Sequence, residues 1–209
     1  PTGLIVQYDG ASSQWRDELR RDWSAMVRFS LPDYDVFRID ADAATPSVVD
    51  SLPGVGTILF GMAVNPSNGR VYVSNTEANN RVRFEGPGTY VTSGNRKPAG
   101  EPASVRGHLH EGRVTVIDGT TVTPRRLNTH LDYDLAVQAA GARDRSLAQP
   151  MGMAVTSSGA TLYVTAFSSS SVAAIPVAAL EAGTYVPDAS TRIDLANGGP
   201  TGIVLDEAN

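Results

Sequence analysis

Apolar and polar positions along this chain follow a phrase that comes back. From Gly61 to Asn75 it reads GMAVNPSNGRVYVSN: a short apolar run, a break on Asn65-Pro66-Ser67-Asn68-Gly69, then alternation. From Gly152 to Ala166 it reads GMAVTSSGATLYVTA, and the two align without a gap. Alternation with a period of two marks a half-buried strand. A break rich in Gly, Asn and Ser supplies the positive φ that a tight hairpin requires. The phrase therefore predicts strand, hairpin and strand, twice over.

Its opening also recurs at both ends of the chain. Pro1-Thr2-Gly3-Leu4-Ile5-Val6 returns as Pro200-Thr201-Gly202-Ile203-Val204-Leu205, so a glycine leads an apolar run at Gly3, Gly61, Gly152 and Gly202. Third strands end on an acidic or turn residue: Val36-Phe37-Arg38-Ile39-Asp40, Val114-Thr115-Val116-Ile117-Asp118 and Val172–Ile175. A fainter fourth strand reads Arg192-Ile193-Asp194-Leu195. Four short antiparallel strands per unit describe the blade of a β-propeller. One such sheet exposes both faces and must stack on its neighbours. The small Gly-Met-Ala-Val strand suits the crowded innermost position. The Tyr-bearing strand suits a place between sheets, its ring packed and its hydroxyl wet.

The expected fold class is thus all-β, a partial β-propeller of about three four-stranded blades plus the first strand of a fourth. Blade one covers 1–56, blade two 57–148, blade three 149–197, and 198–209 starts the next. Closed rings typically hold four to eight blades, so other domains of a longer parent chain, or another chain, are expected to complete this one. A stub strand at Gly202–Leu205 is an open edge, which also predicts homo-oligomers joined through terminal strands. Two insertions interrupt the pattern. Trp15, Leu19, Trp23 and Met26 fall at helical spacing within Ser12–Met26, with Ser12 or Ser13 as N-cap, which predicts a short helix on the rim of blade one. Pro87–Glu111 is rich in Gly, Pro and charge without periodicity and reads as a long loop, functional or mobile.

The segments RVYVSNTEANNRV and TLYVTAFSSSSV resemble the YVTN-type β-propeller repeat of bacterial surface and periplasmic proteins. With FSLPDYDVFRID, VYVSNTEANNRVRFEGPG and VRGHLHEGRVTVIDG, nearly the whole chain is similar to a largely uncharacterised branch of that family. The resemblance implies a periplasmic or extracellular bacterial protein, further blades, and in some members a cytochrome c-like module. This chain has no Cys-x-x-Cys-His, so no haem role carries over to it.

Composition narrows the chemistry. With no cysteine, disulfides, thiolate catalysis and Cys-ligated zinc are excluded within these 209 residues. A net charge of -5 argues against nucleic acid, whose phosphates need a basic face. The longest apolar run, around Val172–Leu180, is short and holds Pro176, so no membrane span is expected. Residue 1 already falls in a strand-like stretch, so no signal peptide is expected in this segment.

All three histidines lie near one another in sequence: His108, His110 and His130. On an extended strand His108 and His110 would face one side, with His130 arriving from a neighbouring strand. Glu111, Asp132 or Asp134 would add oxygen. Such a set suits a transition metal or acid–base chemistry; the plain alternative is loop histidines bonded to backbone. Asp33/Asp35, Asp40/Asp42 and Asp132/Asp134 lack calcium-loop spacing and read as turn residues. Arg106, Arg113, Arg125 and Arg126 read as a local anion site or a solvated face. No Gly-x-Ser-x-Gly elbow, phosphate-cradling loop or His-Glu-x-x-His is present, and Ser168–Ser171 reads as a hairpin tip. No catalytic or cofactor-binding residue is assigned. The expected function is a non-catalytic scaffold that presents loops to a protein or other ligand. The alternative is a metal-binding enzyme or redox accessory domain built on the histidines.

Overall fold

The computed structural model describes residues 6–17, 19–28, 34–78, 108–133, 135 and 137–208. The opening at Gly3, residues 87–107 of the expected loop, Asp33, Arg106 and Asp134 lie outside the described residues.

The chain is all-β, and every strand pair is antiparallel. A hairpin of β1 (Gln7–Asp9) and β2 (Gln14–Arg16) comes first, then a second hairpin of β3 (Val36–Asp40) and β4 (Ser47–Leu52). A four-stranded sheet follows in the order β5 (Ile58–Val64), β6 (Val71–Ala78), β7 (His110–Asp118) and β8 (Thr121–Arg126). After a single helical turn, α1 (Ala142–Arg145), comes a second four-stranded sheet of β9 (Pro150–Val155), β10 (Thr161–Ala166), β11 (Ser171–Pro176) and β12 (Arg192–Asp194). Helix α2 (Val177–Ala182) leaves the end of β11 and stops on Gly183, whose φ of +73° is the left-handed conformation helix ends favour.

The two copies of the repeated phrase fold alike, pair for pair. In one, Met62 faces Val73, Ala63 faces Tyr72 and Val64 faces Val71. In the other, Met153 faces Val164, Ala154 faces Tyr163 and Val155 faces Leu162. The Gly61 N–H donates to Ser74 Oγ at 3.0 Å, and the Gly152 N–H to Thr165 Oγ1 at 2.8 Å. Both ladders are irregular at this point, so each hydroxyl takes a backbone donor that a regular register would have paired. The hairpins differ in one respect. The positive φ falls on Gly69 in the first and one aligned position earlier, on Gly159, in the second.

The sheets stack through their faces. Along β6, Tyr72 joins one hydrophobic cluster and Val73 the other, as strand alternation requires. The larger cluster lies between the two four-stranded sheets and holds Tyr72, Val114, Leu162, Val164, Ile175 and Leu180 of α2. The smaller cluster joins Leu52 and Val55 to Val73 and Ile117. Glycine permits the close approach of the first strands: a Cβ at Gly61 would lie 2.9 Å from the Met151 carbonyl oxygen, and one at Gly152 would lie 2.8 Å from Gly202 Cα.

Two expectations need correction. The helix expected over Ser12–Met26 is instead strand β2 followed by one 3-10 turn, Ser24–Met26. Asp17 is the physical reason. Its buried carboxylate accepts from the backbone N–H groups of Leu19 and Arg21, the Arg21 guanidinium and the Trp23 indole, closing a tight loop where a helix would run on. Trp15 instead faces Tyr8 across the hairpin. Local side-chain bonds to backbone have displaced helical ones. The four strands expected for the first unit also differ: among the described residues they form two separate two-stranded sheets. Residues 200–208 take no assigned strand; among them Thr201 and Gly202 lie against Gly152 of β9.

Candidate functional site

The histidine-bearing segment closes one end of the β7–β8 hairpin. β7 begins at His110, so His108 lies outside the strand whose period would have aligned the two imidazoles. His108 turns to Glu111 instead, with Nε2 and Oε1 2.8 Å apart. Glu111 also accepts Arg126 Nε at 2.8 Å. The His108 ring stacks on Tyr133 with centroids 3.6 Å apart and planes 4° from parallel, and the Arg126 guanidinium lies 5.5 Å from the same ring's centre. Burial raises the Tyr133 phenol. These four side chains tie together the end of β8, the start of β7 and the segment after Leu131.

His110 is exposed and faces Ala78 across the ladder. His130 takes different partners: its Nε2 lies 3.0 Å from the Ala142 carbonyl oxygen and 3.1 Å from Ser146 Oγ. A carbonyl only accepts, so Nε2 carries the proton and Nδ1 presents a lone pair. That Nδ1 is buried and has no hydrogen-bond partner. Burial first, and then the charge of Arg145, holds the His130 pKa below its usual range, although the bond to Ala142 pulls the other way. Among the described residues no three His, Asp or Glu side chains form a group able to hold a metal ion.

The remaining candidates each have a partner in the chain. Asp35 Oδ2 accepts the Val55 N–H at 2.7 Å, and Asp40 Oδ1 accepts the N–H of Asp42 at 3.1 Å, closing a turn. Asp132 frames a short loop, its backbone bonded to the Gln138 amide. Arg113 donates to Asn75 Oδ1, the Val55 carbonyl and Glu77. Arg125 donates to the Glu181 carbonyl, and Arg126 reaches Glu111. Of the arginines read as a local anion site or a solvated face, Arg113, Arg125 and Arg126 therefore divide among three separate acceptor sets. Ser168 and Ser169 form a 3-10 turn between β10 and β11, as a hairpin tip should.

A second polar cluster carries no sequence motif. Glu181 on α2 accepts from Tyr72 OH at 2.7 Å, Arg70 Nη1 at 2.5 Å and Asn68 Nδ2 at 3.1 Å, joining the two four-stranded sheets. Tyr72 OH in turn accepts from Asn65 Nδ2 at 2.9 Å, and that amide also reaches the Gly159 carbonyl at 3.1 Å. Burial pushes the Tyr72 phenol up to about 12. Burial alone would raise Glu181 too, but the bonds from Tyr72, Asn68 and Arg70 hold its carboxyl below the ordinary range. The one hint in the sequence is a departure from the repeat: Asn65 and Arg70 stand where the second copy has Thr156 and Thr161.

Fold and sites together define an all-β protein of stacked antiparallel sheets. No family model matches the chain, and no curated protein does. Among solved structures it is similar to hydrazine synthase of Kuenenia stuttgartiensis, at 15% identity and a TM-score of 0.44. That match covers 74% of this chain, which spans 41% of the other. Among the described residues no helix is long and apolar enough to cross a membrane.

Proposed function

We propose that the chain is part of a β-propeller and serves as a non-catalytic scaffold in the periplasm or at the surface of a bacterial cell, holding a protein or other ligand on its loops. On this reading the two four-stranded sheets are blades two and three, 57–148 and 149–197. The two hairpins are the strands of blade one, and 198–209 begins the next. The observation that carries it is the shared pairing of the two repeat copies, with Ser74 on Gly61 and Thr165 on Gly152. A unit that repeats its backbone contacts at each step is the material of a propeller. The cellular address rests on the resemblance of the repeats to YVTN-type proteins and on a cysteine-free composition.

A second reading makes the histidine segment a metal-binding or redox site. In its favour stand the adjacent His108 and Glu111 and the buried lone pair of His130 Nδ1. Elemental analysis of protein purified without a histidine tag separates the two. The scaffold reading expects no stoichiometric transition metal. Metal at one equivalent, lost in His108→Ala and His130→Ala, overturns it in favour of the second.

A further inference from the structure

Two Asn-Gly pairs occur in the chain, Asn68-Gly69 and Asn197-Gly198, and the fold treats them differently. Such a pair is chemically unstable, because the glycine nitrogen has no side chain beside it and can close on the Asn side-chain carbon. Asn68 is held at both ends of its amide. Its Nδ2 donates to Glu181 Oε1 at 3.1 Å, and its Oδ1 accepts the Arg70 N–H at 3.0 Å. The attacking nitrogen is held as well, since the Gly69 N–H donates to the Asn65 carbonyl at 2.9 Å. Asn197 has none of these restraints. It is exposed, it sits at φ +58°, a left-handed conformation that is strained for a residue with a Cβ, and its amide makes no hydrogen bond among the described residues. The Gly198 N–H has only a long bond, to the Leu195 carbonyl at 3.2 Å. This arch is anchored on either side and open between. The Leu195 N–H donates to the Ser170 carbonyl at 2.8 Å, and Gly199 lies against the Phe167 ring, where a Cβ would fall 2.7 Å from Cε2.

We propose that Asn197 is a site of self-modification, converting to aspartate and isoaspartate through a succinimide, while the fold protects Asn68. The Gly198 nitrogen gives up its proton to hydroxide and attacks Asn197 Cγ. A new C–N bond forms there as the side-chain amide leaves as ammonia, taking a proton from water. Water then adds to either carbonyl of the ring and opens it, with no net oxidation or reduction. Opening on one side gives aspartate and on the other isoaspartate. Both products carry a negative charge where the amide had none. Isoaspartate also inserts an extra methylene into the main chain between β12 and Thr201, whose carbonyl oxygen would lie 2.9 Å from a Cβ at Gly152. Modification at 197 therefore reaches the contact between Gly152 and the segment that begins at Thr201.

The test is to incubate the whole chain in mildly alkaline buffer and follow the peptides holding 68 and 197 by mass spectrometry. Labelling with an isoaspartyl methyltransferase separates the two acids. Conversion at 197 is expected to be at least about tenfold faster than at 68, because Asn68 must first break bonds that are each worth most of that factor. The rate at 197 should rise with hydroxide concentration. In urea, with the fold gone, the two rates should converge. Gly198→Ala, whose Cβ would lie an ordinary 3.4 Å from Leu195 Cβ, crowds the attacking nitrogen and should slow 197 while leaving 68 unchanged. Glu181→Ala should speed conversion at 68 by about tenfold and leave 197 unchanged. Equal rates at the two sites in the folded chain, faster conversion at 68, or a gap that persists in urea overturns the proposal. So does an Asn197 that stays intact in the folded chain while it converts in urea. A Glu181→Ala chain in which both sites speed up alike reports unfolding, and overturns the protection assigned to Asn68.

Discussion

Strands β3 and β7 are near copies in sequence and opposites in environment. VFRID and VTVID share their first and last residues and their alternation. Yet Val114–Ile117 of β7 are all buried, while Phe37–Asp40 of β3 are all exposed. The cause lies outside the strands. β7 sits between β6 and β8 in a sheet covered on both faces, whereas β3 pairs, among the described residues, with β4 alone and leaves Phe37, Ile39, Val48 and Val49 open to water. The same contrast holds between first strands: Met153 and Val155 pack into the core, but their counterparts Met62 and Val64 are 62% and 60% exposed. A repeat unit of this kind specifies its own pairing and borrows its burial from the units on either side.

Core truncation tests that contrast with the largest effect. Leu162→Ala, at a fully buried site, should cost about 2–5 kcal/mol of unfolding free energy, while Ile39→Ala should cost less than about 0.5 kcal/mol. Equal losses in denaturant titrations would erase the distinction between the regions. Glycine substitution sharpens it. Gly61→Val and Gly152→Val each drive a side chain into neighbouring backbone and should cost about 1–3 kcal/mol or more. Gly10→Val in the first hairpin meets nothing within 4 Å and should leave the midpoint unchanged. The clasp between sheets comes next: Glu181→Ala strips a partner from Tyr72, Arg70 and Asn68 and should lower stability by roughly 1–3 kcal/mol.

Acid separates the regions more gently. His130 is a base with a depressed pKa, so the folded state resists its protonation. Stability attributable to it is full above the ordinary value of 6.5 and declines as pH falls below that. Asp17 works in a lower window. Burial alone would raise its carboxyl, but the bonds from Arg21 and Trp23 hold it at about 2. Its contribution is therefore full above the ordinary 3.8 and is lost as pH drops from there toward 2. Since Trp15 and Trp23 are the chain's two tryptophans and flank this loop, their fluorescence should change in the lower window and stay flat in the upper one. A change completed between pH 6.5 and 3.8, with none below, would contradict this assignment.

The pairing of the repeat copies was legible in the sequence because period-two alternation and a glycine-led opening are local signals. Arg70–Ser74 and Thr161–Thr165 read as strands without reference to any partner. The apolar spacing over 12–26 does not yield a helix because the deciding interaction is not periodic: one aspartate, Asp17, gathers four donors. The histidines show the same limit. Their closeness in sequence said nothing of the Tyr133 stack under His108 or of the Ala142 carbonyl that engages His130. Glu181 could not be found at all, because it acts across a sheet interface on residues more than a hundred positions away.

The central claim is that successive first strands lie glycine against backbone. Nuclear Overhauser spectroscopy reads this directly, because a Cβ built at Gly152 falls 2.8 Å from Gly202 Cα and one at Gly61 falls 2.9 Å from the Met151 oxygen. The account predicts strong Gly152 Hα to Gly202 Hα cross-peaks and contacts from Gly61 Hα to the backbone around Met151. If both sets are absent while the Gly61–Ser74 and Gly152–Thr165 pairings persist, the sheets form but do not stack in this way, and the account is wrong.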